Sequence, residues 1–213
     1  MLKSIYVSTA HALSPFRLSD KVADHAATAR PEGLMRWLAS LFAIYDIDQM
    51  LRLDIPWWNV KAAVTVERFL EANRGARIFE YGSGASSLWL ARRAGSVVSV
   101  EHDETWAEKL RPHLSNHQNA AILDRKLEDG SYVNAIAEQG GLFDLIVVDG
   151  RRRVDCLHAA IPYLKPAGII VFDDSGRRRY RSGIETCGLA EHAFIGRSYC
   201  VPYPDHTSLL TVA

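Results

Sequence analysis

The sequence has few of the features that mark secreted, membrane or nucleic-acid-binding proteins. Its three cysteines, Cys156, Cys187 and Cys200, are far apart and odd in number, which is typical of reduced thiols and not of a disulfide framework or a metal site. No apolar run approaches the roughly 20 residues that a membrane-spanning helix needs. Because 25 basic residues balance 25 acidic ones, charge gives no reason to expect nucleic acid or an anionic membrane as a partner.

The start of the chain also lacks the pattern of a signal peptide, because Ser8, Thr9 and His11 interrupt any apolar region there. Together with the cysteine pattern, this predicts a cytoplasmic protein. The 213 residues are 48% apolar and 23% charged, which is ordinary for a globular chain and enough for one sizeable domain with an appendage.

Hydrophobic periodicity divides the chain into a helical N-terminal part and a sheet domain. Before the sheet, the pattern predicts a short strand or arm at 1–7, helices at 32–45 and 60–71, and a helical turn at 48–53. We therefore predict an N-terminal helical extension or cap over 1–75 and a second domain over 76–213. Trp57 and Trp58, which follow a proline, are interpreted either as core anchors or as part of a lid.

From residue 76 onward, apolar strands alternate with helical segments. The strands are predicted at 77–81, 97–101, 120–123, 143–149, 169–172, 193–195 and 208–212. Such alternation is typical of a mostly parallel sheet with helices on both faces. The last two strands have no helix between them, which predicts an antiparallel hairpin at the sheet edge. The predicted fold is a Rossmann-like, doubly wound α/β sheet of seven strands.

Residues 77–103 read as one strand–turn–helix–strand unit of a nucleotide-binding sheet. Glu80 precedes the glycine turn at 82–84, and Glu101 ends the next strand where ribose hydroxyls would lie. Ser87 stands where a dinucleotide-binding turn would have its third glycine. A carboxylate at position 80 would repel a pyrophosphate but suits a cationic ammonium or sulfonium group. These features favour S-adenosylmethionine over NAD as the cofactor.

Four motifs then resemble those of the class I S-adenosylmethionine-dependent methyltransferases, over roughly 76–212. FEYGSGASS and SVEHD are similar to the family's first two motifs, and FDLIVVDG and LKPAGIIVFDDS to two later ones. The resemblance implies that Glu80 contacts the methionine ammonium, that Glu101 binds the ribose, that His102 flanks the adenine and that Asp129 lies near its amino group. The full set of cofactor-binding residues that it implies is Glu80, Tyr81, Gly82, Ser83, Gly84, Ser86, Glu101, His102, Asp129 and Asp149.

Acidic residues follow two strands that should be neighbours: Asp149 follows one, and Asp173 and Asp174 end the next. Three carboxylates that converge would repel one another unless a cation or a proton is shared. The pattern is also similar to that of metal-dependent O-methyltransferases, and this resemblance implies that the three bind Mg²⁺, which would lower the pKa of an acceptor hydroxyl. The alternative is that the acids pair with Arg152, Arg177 or Arg179.

Other side chains near this end of the sheet suggest roles in substrate binding and proton transfer. The arginine-rich segments 151–153 and 177–181 could bind a carboxylate or phosphate on the acceptor, or could pair with local acids. Asp149 is one candidate catalytic base, and His206, expected in the hairpin turn, is another.

The sequence thus predicts an S-adenosylmethionine-dependent methyltransferase that methylates an oxygen atom of a small molecule. Because of the arginine-rich segments 151–153 and 177–181, this acceptor could be anionic. Two alternatives stay open: a non-catalytic protein that binds S-adenosylmethionine or S-adenosylhomocysteine, and an NAD- or nucleotide-sugar-dependent enzyme. No N/D-P-P-Y-type motif is present to hold an extruded base, which argues against nucleic-acid methylation. The N-terminal 75 residues would form a cap or the surface of a homodimer.

Overall fold

The computed structural model describes residues 20–212, so the strand or arm expected at 1–7 lies outside the described part. Its α-helices are α1 (Asp20–Thr28), α2 (Leu34–Ser40), α3 (Ile47–Leu53), α4 (Val60–Ala72), α5 (Ala85–Ala91), α6 (Glu104–Leu114), α7 (Ser131–Asn134), α8 (Arg153–Ala160) and α9 (Arg178–Glu185). Its strands are β1 (Arg77–Tyr81), β2 (Ser96–Glu101), β3 (Ala120–Asp124), β4 (Phe143–Val148), β5 (Leu164–Asp173), β6 (Ala190–Ser198) and β7 (Val201–Thr211).

The strands form one seven-stranded sheet in the order β3-β2-β1-β4-β5-β7-β6. The pairs from β3 through β5 are parallel, whereas β7 runs antiparallel to both β5 and β6. This confirms the predicted Rossmann-like sheet with an antiparallel edge hairpin. The strand order reverses between β1 and β4, and the crevice at such a reversal is where open α/β sheets bind ligands.

Side chains alternate between the two faces of the sheet, and each face has its own apolar core. Ile78, Leu145 and Val171 pack on the face that also carries α4, α5 and α6. Phe79 and Ile146 pack on the other face, against α7 and α8. Continuous apolar sequences such as FDLIVV in β4 are therefore explained, because both sides of the strand are buried.

The N-terminal helices share the first of these cores with the sheet. Ala23 of α1, Leu53 of α3 and Val66 of α4 are buried in the same apolar cluster as Ile78 and Leu209. The division of the chain near residue 75 therefore does not correspond to two separate cores within 20–212.

Several element boundaries differ from the predicted ones. The helix expected over 32–45 ends at Ser40. Helix α1 was missed, because most of its apolar residues are alanines, which mark the buried face of a helix only weakly. The last two strands are much longer than expected, and β7 begins at Val201. That extension changes the position of His206, as described below.

Candidate active site

A cleft of about 700 Å³ lies near the strand-order reversal, at the carboxyl ends of β1, β2, β4 and β5. Its lining includes most of the sequence-predicted site: Glu80, Gly82, Ser83, Gly84, Ser86, Glu101, His102, Asp149, Asp173 and Asp174. Parallel strands bring their carboxyl ends to one edge of a sheet, so these residues meet although 94 positions separate the first from the last.

Two glycine turns touch at the floor of the cleft. A Cβ atom at Gly82 would lie 2.8 Å from the Cα of Gly150, and Gly82 has a φ of +93°, which side-chain-bearing residues rarely adopt. The amide N–H of Asp149 donates to the carbonyl of Tyr81 beside this contact. The turns after β1 and β4 are therefore packed against each other, and this contact requires glycine at position 82.

Glu80 is buried, 1% exposed, and receives hydrogen bonds from three serine hydroxyls. Ser86 Oγ donates to Oε1, and Ser87 Oγ and Ser99 Oγ donate to Oε2, each over 2.5 Å. Burial raises the pKa of Glu80 to about 7, although the three hydroxyls oppose the shift. Within 20–212, its hydrogen-bond donors carry no charge, so the buried carboxylate faces the cleft without a cationic partner.

Glu101 organises the turn that follows β2 and the glycine turn after β1. Its Oε2 accepts from the backbone N–H and the hydroxyl of Ser83, both at 2.9 Å. Its Oε1 accepts from the backbone N–H groups of His102 and Asp103, at 2.8 Å and 3.0 Å. The indole of Trp106 donates to the carbonyl of Ser83 over 2.7 Å. The Glu101 carboxylate, which is expected to bind ribose, therefore also holds the two neighbouring loops in place by hydrogen bonds.

Two residues of the predicted cofactor set lie elsewhere, and those predictions are corrected. The Tyr81 side chain faces the opposite side of the sheet from Glu80, where its hydroxyl donates to the carbonyl of Val133 over 2.8 Å. Strand alternation requires this, since consecutive residues point to opposite faces. Asp129 is exposed outside the cleft lining, and hydrogen bonding to the Ser131 side chain and to its backbone N–H, at the start of α7, lowers the pKa of Asp129.

Asp149 lies at the centre of the cleft, at the end of β4. Its Oδ2 accepts the indole N–H of Trp58 over 3.2 Å, and its Oδ1 accepts from Arg153 Nη2 over 2.8 Å. Burial raises the pKa of Asp149 to about 6, although the positive charge of Arg153 opposes the shift. Trp58 is fully buried behind it, so this tryptophan is an anchor of the site rather than a lid.

Arg153, the first residue of α8, lies among the three aspartates of the predicted metal site. Its Nη1 is 3.0 Å from Asp174 Oδ2 and 3.8 Å from Asp173 Oδ2, and its Nε donates to the carbonyl of Gly150 over 3.0 Å. The carboxylates raise the pKa of this guanidinium above its usual range, despite burial, which acts in the opposite direction. Arg153 is 9% exposed, and the three carboxylates keep it charged inside the site.

The remaining oxygens of the acidic pair also have partners. Asp173 Oδ1 accepts from Thr207 Oγ over 2.7 Å, and Asp174 Oδ1 lies 2.7 Å from Arg177 Nη2. Burial and the neighbouring carboxylates raise the pKa of Asp173 well above its ordinary value. The predicted alternative, pairing with arginine, is thus realised for Asp174 with Arg177.

The residues present do not fit the predicted Mg²⁺ site. Within 20–212, no group of three or more acidic, histidine or cysteine side chains is arranged to hold a metal ion. Magnesium requires oxygen ligands at about 2.0–2.1 Å in near-octahedral geometry. A guanidinium lies between Asp149, Asp173 and Asp174 instead, and its positive charge would repel a second cation.

His206 is not in the hairpin turn, where it was expected as a catalytic base, but in the middle of β7, paired with Ile195. Its ring packs on Gly176, where an added Cβ would lie 2.5 Å from the ring. The cleft lining includes the preceding residue, Asp205, and not His206. The prediction assumed that β7 starts near 208, and a strand that starts at Val201 places the histidine away from the cleft.

The outer walls of the cleft differ in character. Tyr45, Met50 and Trp57 form an apolar wall on the N-terminal side, with Tyr45 and Trp57 packed edge to face at 5.0 Å. Arg151 and Arg179 also line the cleft and are exposed. Within the described chain, neither arginine lies within ion-pair distance of an acid, whereas Arg152 pairs with Asp155 over 2.7 Å.

Sequence reasoning missed four contributors to the site: Trp58 on Asp149, Ser87 and Ser99 on Glu80, and Arg153 among the aspartates. Arg153 had a detectable signal, because it follows Asp149 by only four residues, and the two side chains form an ion pair over 2.8 Å. Ser87 stands at the position of the third glycine of a dinucleotide-binding turn, and its hydroxyl donates a hydrogen bond to Glu80. Trp58 and Ser99 reach their partners through the tertiary fold, which local patterns do not encode.

Comparisons with known proteins agree with this geometry. A family model described as a methyltransferase domain matches residues 79–175. Catechol O-methyltransferase of Mycobacterium tuberculosis is 29% identical over 144 residues, which are 64% of this chain and 64% of that protein. Protein-L-isoaspartate O-methyltransferase of Rhodopseudomonas palustris is 34% identical over 116 residues, 53% of this chain and 49% of that one. The matches therefore span less than two thirds of either relative.

Solved structures show the same fold. A methyltransferase-like protein from Silicibacter pomeroyi has a TM-score of 0.52 and 25% identity, over 69% of this chain and 85% of its own. An O-methyltransferase from Bacillus cereus in complex with S-adenosylhomocysteine has a TM-score of 0.56 and 21% identity, over 82% and 91%.

The sheet order, the motifs at the strand ends and the family match together define a Rossmann-like methyltransferase domain. These findings support a class I S-adenosylmethionine-dependent methyltransferase, with the methyltransferase domain matched over residues 79–175. The comparisons support the predicted family, and the NAD- or nucleotide-sugar-dependent alternative is set aside.

Proposed function

We propose that the protein transfers the methyl group of S-adenosylmethionine to an oxygen atom of a small acceptor that has an aromatic or apolar body and an anionic group. The observation that carries this proposal is one cleft with two chemically different ends, Glu80 and Glu101 at one and Asp149 at the other. The O-methyltransferases among the similar proteins support the choice of oxygen as the methylated atom.

The first end suits the cofactor. Glu80 offers a buried negative charge that is bound by neutral hydroxyls, which complements the ammonium group of a methionine moiety. Gly82 lines the cleft, and Glu101 ends β2 at the position expected for ribose recognition. When bound, S-adenosylmethionine supplies an electrophilic methyl group, and the protein contributes orientation and a deprotonated nucleophile.

The second end suits the acceptor. Tyr45, Met50 and Trp57 present apolar and aromatic surface, against which a planar acceptor would stack. Arg151 and Arg179 also line the cleft and can bind a carboxylate or a phosphate. This lining supports an acceptor that combines an aromatic ring with an anionic group.

Asp149 is the residue that we assign to proton transfer. It lies in the cleft lining, and Trp58 and Arg153 hold its carboxylate in place. With a pKa raised to about 6, the carboxylate is largely ionised at neutral pH and can accept the proton of an acceptor hydroxyl. His206 is not assigned this role, since its ring packs on Gly176.

Three broader predictions accompany this function. The N-terminal helices up to residue 75 act as a cap over the acceptor end, because Tyr45, Met50 and Trp57 come from that part of the chain. The exposed side chains of Leu34, Met35 and Leu38 support the predicted homodimer, which light scattering coupled to size exclusion would check.

All three cysteines are buried and unpaired, which supports the predicted cytoplasmic location. Within 20–212, no helix is long and apolar enough to cross a membrane.

The decisive experiment combines cofactor binding with turnover. Calorimetry should show S-adenosylhomocysteine binding, and radiolabelled S-adenosylmethionine should methylate members of a panel of hydroxylated aromatic acids in preference to their neutral amides. Arg151→Ala and Arg179→Ala should each raise KM for an anionic acceptor about tenfold, the value of one charge-assisted hydrogen bond, and leave KM for the neutral amide unchanged.

Arg125→Ala is the matched control, because Arg125 pairs with Glu138 away from the cleft. Cofactor binding without turnover on any acceptor would favour the alternative of a non-catalytic binding protein. Equal KM changes for acids and amides would contradict the role of the two arginines.

A further inference from the structure

We propose that the guanidinium group of Arg153 takes the place of a divalent cation among Asp149, Asp173 and Asp174, so that this acceptor end works without a metal ion. The inference concerns the site of the proposed function, and only its activity measurements rest on that function. Its binding measurements need neither an acceptor nor turnover.

The first argument is geometric. One nitrogen of the guanidinium, Nη2, donates to Asp149 Oδ1 and to the Asp149 carbonyl, each over 2.8 Å. The other terminal nitrogen, Nη1, donates to the Asp173 carbonyl and lies 3.0 Å from Asp174 Oδ2. Nε is bound to the carbonyl of Gly150. The planar fork thus contacts both acidic strand ends at once, as a bridging ion would.

The second argument is the arrangement of charge. Three carboxylates meet Arg153 at the centre and Arg177 at the rim, where Arg177 pairs with Asp174. The two guanidiniums leave at most one unbalanced negative charge among the three acids. A divalent cation there would have to displace Arg153 or lie beside it, and like charges at such separations repel strongly in a buried site.

The third argument is that Arg153 is built into the fold. It is 9% exposed, begins α8, and its Cζ lies 5.6 Å from the centre of the Tyr180 ring. A chelator can remove a metal ion, but this cation is covalently part of the chain and cannot be withdrawn. Arg153 is therefore a positioning residue that holds Asp149 in the cleft, rather than a group that touches the acceptor.

The test is whether removing the guanidinium turns the acidic cluster into a metal site. Terbium is a suitable probe, because the Trp58 indole lies 3.2 Å from Asp149 and can sensitise terbium luminescence. The wild-type protein should show neither sensitised luminescence nor Mg²⁺ binding by calorimetry at millimolar metal, with or without S-adenosylhomocysteine. Arg153→Met, which keeps most of the length of the side chain without its charge, should gain both signals.

Turnover provides the second measurement. Wild-type turnover should be unchanged by EDTA, whereas Arg153→Met should lose at least about a hundredfold in kcat and regain part of it with Mg²⁺. A merely structural role would not produce this metal dependence. Arg153→Lys retains a positive charge and should stay metal-free. Arg125→Met, at an exposed pair with Glu138, is the matched control and should gain no metal binding.

The outcomes separate the two proposals. Metal binding by the wild-type cluster, or loss of wild-type turnover in EDTA, overturns the role of Arg153 even if methyl transfer is established. A folded Arg153→Met that gains no terbium signal overturns it as well. If Arg153→Met does not fold, the wild-type titrations and Arg153→Lys decide the matter. Failure to methylate any acceptor would count against the proposed function and leave the metal titrations valid.

Discussion

The two ends of the cleft both contain buried carboxylates at strand ends, yet they stabilise them differently. At the cofactor end, Glu80 accepts hydrogen bonds from three serine hydroxyls, and Glu101 accepts three backbone N–H groups and one hydroxyl. At the acceptor end, Asp149, Asp173 and Asp174 surround the guanidinium of Arg153.

This difference decides which ligand charge each end can accept. Neutral donors stabilise a carboxylate but leave its charge uncompensated, so the site favours a cationic ligand, and the pKa of Glu80 rises to about 7 without one. A guanidinium cancels the charge, so a further cation gains little from binding there. The methionine ammonium is thus matched to Glu80, and the acceptor end has no similar attraction for a metal.

The largest effect is expected from Asp149→Asn at the acceptor end. Loss of the carboxylate that accepts the proton should lower kcat by about 10²- to 10⁴-fold, the usual contribution of a general base. The affinity for S-adenosylhomocysteine should change by less than about threefold, well under 1.4 kcal/mol. Steady-state kinetics and calorimetry would measure both.

Asp124→Asn is the control for this change, because Asp124 is an exposed acid at the end of β3, outside the cleft lining. If Asp149→Asn lost cofactor affinity and kept its kcat, Asp149 would belong to the cofactor end, and the contrast between the two ends would be wrong.

The next effect is expected from Glu80→Gln at the cofactor end. A carboxyl whose pKa is raised in the folded state stabilises the protein below its ordinary pKa, near 4.5, and this stability is lost as pH rises through about 7. The full loss is about 3 kcal/mol, since one pKa unit corresponds to 1.36 kcal/mol. Chemical denaturation of the ligand-free protein at pH 4.5 to 8 should therefore show stability falling, and Glu80→Gln should reduce the slope near pH 7, whereas the contributions of Asp149 and Asp173 remain.

The same variant tests the proposed partner of Glu80. In the wild type, S-adenosylhomocysteine should bind more tightly as pH rises from 6 to 8, because its ammonium group favours the ionised carboxylate. Glu80→Gln should bind about tenfold more weakly at pH 8 and show a flatter profile. A steep profile that persists in the variant would mean that another group carries the charge.

The smallest effect is expected from Glu101→Gln. A glutamine amide cannot accept hydrogen bonds at both ends, so one pair of the donors from Ser83, His102 and Asp103 would lose its acceptor. We expect a loss of about 2 kcal/mol in the free energy of unfolding, the scale of a hydrogen bond to a charged group. Unchanged stability would show that Glu101 serves the ligand and not the loops.

Much of the cofactor end could be predicted from sequence, because its information is local. Glu80, the glycine turn and Glu101 lie within one strand–turn–helix–strand unit, and their order along the chain fixes their positions. Tyr81 was wrongly included although strand alternation already argues against it, since it follows Glu80 directly.

The acceptor end was less predictable, because its contacts join distant segments. The positions of Asp149 and Asp173 followed from strand ends, but the cation between them was assumed to be a metal rather than Arg153. His206 was misplaced because β7 begins at Val201, and a strand boundary shifted by several residues moves a side chain out of a turn. Trp58 reaches Asp149 across 91 positions, which no local pattern indicates.

The contacts of Trp58 and Asn59 have a consequence for protein engineering. Trp58 donates to Asp149, and the N–H of Asn59 donates to the hydroxyl of Thr207, which in turn donates to Asp173. The two residues before α4 thus support both acidic strand ends, although they precede the sheet in sequence. A chimera that imports a foreign acceptor cap should have its crossover before residue 58, because a later crossover would exchange the donors that hold these aspartates.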